Sequence, residues 1–85
     1  TAVYIKQMGA KLYEVGLERP PTDVAAIEVT VDGYLITDAV NGQSRSTRLA
    51  VRHTYNTLGE REFAITTYGS NGTVRGTLRR TFTLR

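Results

Sequence analysis

His53 is the only histidine in the chain and the first residue to weigh for catalysis. A histidine acts as a general base only when a nucleophile or water lies within hydrogen-bond reach and another group orients the ring. His53 shares the apolar side of an alternating segment with Val51. Ser44, Ser46 and Ser70 all lie in polar loops or turns. We therefore expect a hydrogen-bonded histidine in the core or at its rim, and a chain that is not an enzyme.

Ligands for a bound metal are equally scarce. A zinc ion ordinarily takes three or four His, Cys or carboxylate ligands, and the chain offers one histidine and no cysteine. Calcium needs only oxygen ligands, and Asp23, Asp32 and Asp38 could lie near loop ends. Their spacing matches no calcium-binding loop, so we favour solvated turn residues and expect no metal and no cofactor. A calcium ion at the loop ends is the alternative.

Charge is distributed unevenly along the chain, although the net charge is only +3. Residues 1–42 carry six acidic and three basic side chains, whereas residues 43–85 carry eight arginines and two glutamates. The two halves attract each other. The asymmetry therefore indicates either a fold that neutralises itself or a basic surface for a polyanion such as nucleic acid.

The final segment concentrates the candidate binding residues on one side of a strand. Arg75, Thr77 and Arg79 alternate along it, and the predicted hairpin sets Tyr68 beside Arg75. Arginine and tyrosine on an exposed sheet could hold a sugar ring or another protein, or bind phosphates and stack bases. These four residues are the candidate binding site.

A solvated, self-neutralising face is the interpretation we favour for this stripe. Glu28 and Asp32 are predicted to lie on the same outer face, within diagonal reach of the arginines. Alternating arginine and threonine also discourages association between sheet edges. Contact with a polysaccharide or another protein ranks second, and nucleic acid is the least favoured partner.

Two glycine-containing turns predict the hairpins that position these residues. Asp32-Gly33 and Asn71-Gly72 each lie between alternating apolar runs, and both dipeptides favour a two-residue type I′ turn. The first turn predicts three opposed pairs: Val31 with Tyr34, Val29 with Ile36, and Glu28 with Thr37. The second predicts four: Tyr68 with Arg75, Thr67 with Gly76, Ile65 with Leu78, and Phe63 with Arg80. Both registers bring apolar residues onto one face, except at Arg80, which a bulge or strand end must accommodate.

Alternation with a period of two continues through the chain, and no window of about a dozen residues sustains a helical pattern. We predict about seven strands, at residues 2–8, 11–18, 25–31, 34–38, 47–55, 61–68 and 73–84. The polar stretch 41–46 is a loop that could hold a short edge strand. The predicted fold class is all-β, an immunoglobulin-like two-sheet β-sandwich of about seven antiparallel strands, with a small barrel as the alternative.

The length of 85 residues fits one domain that spans residues 1–85. The longest strictly apolar run covers residues 24–27, whereas a membrane-spanning helix needs roughly 20 such residues. We therefore predict no membrane span. Because the sequence opens without a methionine or a leader-like segment, we expect a module excised from a larger protein.

The later part of the chain resembles a known kind of domain. Residues 55–72 read YNTLGEREFAITTYGSNG, in which an aromatic residue, a glycine turn, an alternating strand and a glycine hairpin follow in order. Together with IEVTVDG at 27–33 and TFTL at 81–84, this segment resembles bacterial immunoglobulin-like domains of the polycystic-kidney-disease and fibronectin type III kind. The resemblance covers about residues 25–85 and brings no catalytic residues with it.

Such domains imply a noncatalytic role. The resemblance predicts an accessory or spacer module of a larger secreted, cell-surface or phage protein, located outside the cell or on its surface. Its partners would be the neighbouring domains of the parent protein. The alternatives are a carbohydrate-binding module that uses the exposed face of the last hairpin, and a protein-binding or nucleic-acid-binding module that uses the C-terminal arginine stripe.

Overall fold

The strands follow the alternating segments of the sequence. The computed structural model describes residues 2–85, and all regular elements among them are β-strands. The strands are β1 (Ala2–Gly9), β2 (Leu12–Glu18), β3 (Ala26–Val31), β4 (Tyr34–Leu35), β5 (Arg45–Ser46), β6 (Ala50–Thr54), β7 (Gly59–Tyr68) and β8 (Val74–Leu84). Within residues 2–85 there is no helix with the length and hydropathy needed to traverse a bilayer.

The strands form two antiparallel sheets that pack face to face. One sheet has the order β1-β2-β6 and the other has the order β4-β3-β7-β8. The short strand β5 also pairs with β3, on the edge that β4 occupies but further along the strand. In immunoglobulin-like domains these positions are those of strands A, B and E facing strands C′, C, F and G. The predicted all-β two-sheet sandwich is confirmed.

Side chains two residues apart line the space between the sheets. Val15 and Val51 from the first sheet and Ile27, Val29 and Ile65 from the second have no exposed surface at all. Burial of such a side chain stabilises the fold by about 1.5–3 kcal/mol relative to leaving it in water. The period-two pattern therefore supplies the main stabilisation of this small domain.

The first hairpin has the predicted turn but a shorter ladder. Asp32 and Gly33 have φ angles of 50° and 85°, as a type I′ turn requires, and Val31 lies opposite Tyr34. The amide of Ile36 still donates to the carbonyl of Val29, at 3.1 Å. Beyond this point the chain leaves the sheet. The predicted strand 34–38 is therefore too long.

The chain crosses to the other sheet after Ile36, and this changes the partner of Glu28. The amide of Ala39 donates to the carbonyl of Arg52 on β6, at 2.6 Å. Glu28 consequently lies opposite Arg45 of β5, and the predicted pairing with Thr37 is wrong. The predicted strand 47–55 is also too long, since β6 covers only Ala50–Thr54. Leu49 has a φ of 59°, which lies outside the extended region, so the strand begins after it.

The second hairpin uses a different turn from the predicted one. The amide of Gly72 donates to the carbonyl of Gly69, at 2.9 Å, and of the turn residues only Gly72 has a positive φ, 84°. This geometry is a type I turn over Ser70 and Asn71 followed by a left-handed glycine. The loop is thus one residue longer than a type I′ turn would make it.

A β-bulge at Arg75 compensates for the longer loop. Tyr68 lies opposite Val74, so its predicted pairing with Arg75 is wrong. Past the bulge the predicted register returns, with Thr67 opposite Gly76, Ile65 opposite Leu78 and Phe63 opposite Arg80. The extra residue in the loop and the extra residue in the strand cancel, which keeps the apolar faces aligned.

Ion pairs join the acidic half of the chain to the arginine-rich half. Five pairs do so: Glu14–Arg52, Asp23–Arg75, Glu28–Arg45, Asp32–Arg61 and Asp38–Arg48. The halves therefore neutralise each other as expected. The predicted reach of Glu28 and Asp32 to the arginines of β8 is wrong, because Arg45 and Arg61 lie nearer.

The alternation can be tested with neighbouring substitutions on β7. Ile65 is fully buried, whereas Thr66 is half-buried on the outer face opposite Thr77. We expect Ile65→Ala to lower the free energy of unfolding by about 2–5 kcal/mol, because it leaves a cavity in the core. Thr66→Ala should cost less than about 1 kcal/mol. Urea denaturation measures both, and equal losses would contradict the assignment of the two faces.

Candidate binding surface

Three of the four candidate residues, Tyr68, Thr77 and Arg79, lie on the outer face of the β7–β8 hairpin. Thr77 and Arg79 are exposed and lie opposite Thr66 and Ala64. Tyr68 is half-buried at the end of β7, and Arg75 is exposed at the bulge. The bulge separates Arg75 from the other three, because Val74 takes the position opposite Tyr68 and Arg75 instead pairs with Asp23 of the loop before β3.

Tyr68 belongs to a compact polar group that we call the Glu28 cluster, formed by Glu28, Ser44, Arg45 and Tyr68. The Tyr68 hydroxyl donates to Glu28 Oε1, and Ser44 Oγ donates to Glu28 Oε2 at 3.3 Å. The guanidinium carbon of Arg45 lies 3.9 Å from the centre of the Tyr68 ring, a cation–π contact. The same guanidinium is 3.7 Å from Glu28 Oε1. One face of the Tyr68 ring is therefore covered by Arg45.

The electrostatics of the Glu28 cluster hold Tyr68 in its neutral form. The hydrogen bond to the Glu28 carboxylate raises the pKa of Tyr68, and desolvation raises it further. The Tyr68 hydroxyl thus keeps its proton and donates it to Glu28. Neither the hydroxyl nor the covered ring face is free for a ligand.

Arg75 is held by the loop that precedes β3. Its Nη2 atom lies 2.5 Å from Asp23 Oδ2, and both side chains are about half exposed, at 49% and 51%. Such a pair stabilises a protein by no more than about 1 kcal/mol. Beside it lies a groove of about 280 Å³ between this loop and the edge of β8, with Pro21, Val24 and Thr77 among its lining residues. Arg75 can therefore turn toward a bound molecule at small cost.

His53 lies at the rim of the core, as expected. Its Nδ1 atom is 2.8 Å from the carbonyl oxygen of Thr37, so Nδ1 carries the proton and donates it. Its ring meets Tyr55 edge-on, with centroids 5.0 Å apart. None of the hydrogen bonds among residues 2–85 links His53 to a serine, since Ser46 Oγ donates instead to the carbonyl of Ala50.

The three aspartates weighed for calcium are each tied to a different arginine. Asp23 pairs with an arginine of β8, and Asp32 and Asp38 pair with Arg61 and Arg48. Asp38 is fully buried, and its carboxylate also accepts a hydrogen bond from the Val40 amide at 2.8 Å. Within the described part of the chain, no three His, Cys, Asp or Glu residues form a group that could hold a metal ion.

Sequence reasoning did not identify Arg45 as a residue of this surface. Arg45 covers Tyr68 and lies in β5, within the polar stretch 41–46 that was predicted to be a loop with room for a short edge strand. Arg80 faces the inner side of β8 yet is exposed, and its Nη1 atom donates only to the carbonyl of Arg79. The predicted register already set Arg80 opposite Phe63, but the expected bulge or strand end at Arg80 is wrong, because β8 continues to Leu84 and its bulge lies at Arg75.

A second ion pair of interest lies on the outer face of the first sheet. Arg52 Nε donates to Glu14 Oε1 at 2.9 Å, and the Tyr4 hydroxyl donates to Glu14 Oε2 at 2.8 Å. These two bonds hold the pKa of Glu14 below its usual value, Arg52 having the larger effect. Burial, together with the bond to Glu14, raises the pKa of Tyr4 to about 12.

We expect Glu14 to contribute to the acid sensitivity of the fold. Because its pKa is lower when folded than when unfolded, the unfolded chain binds the proton more readily in acid. The stabilisation is complete above the usual glutamate pKa of about 4.3 and is lost as the pH falls through the lower folded value. Glu14→Gln should therefore be less stable than the native chain at pH 7, and the difference should shrink in acid.

Urea denaturation over a series of pH values down to about 3 measures this difference. Glu60→Gln is the control, because Glu60 is exposed and forms no ion pair among the described residues. A difference between Glu14→Gln and the native chain that stays constant with pH would contradict the linkage.

Tyr13 and Tyr55 allow a matched test of hydroxyl groups in the core. The Tyr55 hydroxyl is buried, and no polar group among residues 2–85 bonds to it. The Tyr13 hydroxyl donates to the Arg85 carbonyl and accepts from the Arg85 amide, both at 2.7 Å. Tyr55→Phe should raise the free energy of unfolding by about 1 kcal/mol, because it removes an unsatisfied polar group, whereas Tyr13→Phe should lower it by a similar amount. Thermal unfolding compares the two, and changes of equal sign would refute the assignment.

Comparison with known proteins supplies no family for the chain. No family model, no curated protein and no solved structure matches it. The fold class therefore rests on strand order and register, and the role of the domain has to be argued from its geometry.

Proposed function

We propose that the chain is a noncatalytic accessory or spacer module of a larger secreted, cell-surface or phage protein, in which it sets the distance and orientation of neighbouring domains. The observation that carries this proposal is the position of the two chain ends. Ala2 and Arg85, the first and last residues that the structure describes, lie at opposite ends of the sandwich.

The contacts of Arg85 locate the C-terminal end. Both its amide and its carbonyl bond to the Tyr13 hydroxyl, and the Gln7 side chain reaches the same carbonyl at 3.4 Å. Ala2 lies opposite Glu18, at the far end of the β1–β2 ladder. The five residue steps from Gln7 back to Ala2 span about 17 Å of extended strand. A chain that enters at one end and leaves at the other suits domains joined in line.

The direction of the terminal strands suits a load-bearing link. β1 runs from the Ala2 end toward Gln7, and β8 runs toward Leu84 at the same end, so the two strands point the same way in different sheets. Force that pulls the ends apart acts along both strands. The hydrogen bonds of each ladder are then loaded together in shear, rather than one after another.

The same surface gives less support to carbohydrate binding. Sugar recognition uses an open aromatic face, and Arg45 covers one face of Tyr68 while Glu28 holds its hydroxyl. Affinity electrophoresis against a panel of polysaccharides separates the two roles, because a spacer migrates identically in every gel. Retardation by one polysaccharide would favour the carbohydrate-binding alternative.

The spacer role predicts a fixed distance between the ends. The chain contains no cysteine, so spin labels can be attached to cysteines introduced at chosen positions. We expect Ala2→Cys with Arg85→Cys to give one narrow distribution of distances by dipolar spectroscopy, because both positions border ordered strands. The control pair Lys11→Cys with Arg85→Cys should give a shorter distance, since both residues lie at the Tyr13 end. A broad or bimodal distribution for the first pair would contradict a rigid spacer.

A further inference from the structure

We propose that the free edge of β8 binds an extended acidic segment of a partner protein as an added β-strand. The inference concerns a partner of the module and does not depend on the spacer role.

β8 is a long edge strand with a regular backbone. It pairs with β7 alone, and Gly76–Leu84 lie opposite Gly59–Thr67 without a register shift. These nine residues present about 27 Å of edge, on which alternate N–H and C=O groups have no partner strand. Proteins protect such an edge with a proline, a bulge or charged side chains, and Gly76–Leu84 have only the last of these, because the bulge lies at the turn end. Their arginines disfavour pairing with another basic strand but not with an acidic one. The Arg79 carbonyl accepts a hydrogen bond from Arg80 Nη1 at 2.6 Å, and an acidic residue opposite Arg80 would draw that guanidinium away and free the carbonyl for strand addition.

The charged side chains of β8 favour an acidic partner strand. Arg79 and Arg80 are adjacent, so they project to opposite faces of the strand. Among residues 2–85 Arg80 forms no ion pair, and Arg79 reaches only Glu62, at 3.7 Å with both side chains more than 60% exposed. A second copy of β8 would set arginine near arginine, which is repulsive. An acidic strand would supply the missing counter-charges on both faces.

An apolar anchor lies two residues from Arg80 on the same side of the strand. Phe82 is 37% exposed, and its ring meets Tyr13 edge-on at 6.5 Å. A groove of about 440 Å³ opens beside it, with Gln7 and Thr83 among its lining residues. An apolar side chain from an added strand would fill this groove against Phe82.

These positions define a sequence pattern for the partner. Every pairing in the two sheets is antiparallel, so we assign the same direction to the added strand. Read from its N-terminus, the strand carries an apolar residue opposite Phe82, one variable residue, and then two acidic residues opposite Arg80 and Arg79. The variable residue faces Thr81.

A synthetic peptide of nine residues tests the proposal. The probe alternates threonine and valine around a central Ile-Thr-Glu-Glu sequence, and its binding is followed by fluorescence anisotropy and by amide hydrogen exchange. We expect saturable binding that weakens with salt, and slowed exchange at alternate residues within Gly76–Leu84. Amides of β1, the corresponding edge of the other sheet, should not change.

Variants and modified probes separate strand addition from charge attraction. Arg79→Glu with Arg80→Glu should weaken binding at least about tenfold, whereas Arg19→Glu, at an exposed loop position without an ion pair among the described residues, should not. A peptide with N-methyl groups at alternate amides keeps its charges but loses its donors, so it should not bind.

Three outcomes would overturn the proposal. They are absence of binding, equal binding of the N-methylated peptide, and binding of a single-stranded oligonucleotide at the same strength without protection of β8 amides. The last two would identify the edge as a general polyanion surface. None of them would alter the distance between the chain ends, so failure here is distinguishable from failure of the spacer proposal.

Discussion

The structure depends on one constraint: along each strand, side chains two residues apart must face the opposite sheet together. Phe63 and Ile65 on β7 are buried only because Val15 and Val51 reach the same layer from the other sheet. A slip of one residue in any ladder would turn these side chains to water. With 85 residues and no disulfide, the domain has little other stabilisation to draw on. Register is therefore the property that the turns and bulges of this chain preserve.

Ion pairs between the two halves of the chain are a second feature of the fold. The acidic first half and the arginine-rich second half are separated in sequence, yet the fold places their side chains in pairs on the outer faces and in the loops. The Asp23–Arg75 pair is half exposed on both sides and stabilises the domain only slightly, whereas the carboxylates of Glu14, Glu28 and Asp38 are less than 20% exposed. Together the pairs reduce the self-repulsion that the eight arginines of residues 43–85 would otherwise produce. Among residues 2–85, Arg80 of β8 is one of the basic side chains that no ion pair neutralises.

The sequence was sufficient for the parts of the fold that depend on alternation and on the Asp32-Gly33 turn. It was insufficient at Ser70-Asn71-Gly72, because glycine with a positive φ satisfies both a type I′ turn and a type I turn with a bulge. In the observed turn, Asn71 Oδ1 accepts a hydrogen bond from the Thr73 amide at 3.2 Å, a contact that the dipeptide alone does not specify. The Glu28 cluster was equally hidden, because Arg45 reaches Tyr68 only after a loop whose path no local pattern specifies.

That loop has a wider consequence for the way in which the domain unfolds. Residues 36–39 bond first to Val29 in one sheet and then to Arg52 in the other, and the buried Asp38 carboxylate fixes the crossing by binding Arg48. Neither sheet can open without disturbing this crossing. The two layers are thus coupled through this segment, so that opening either sheet also breaks contacts made to the other.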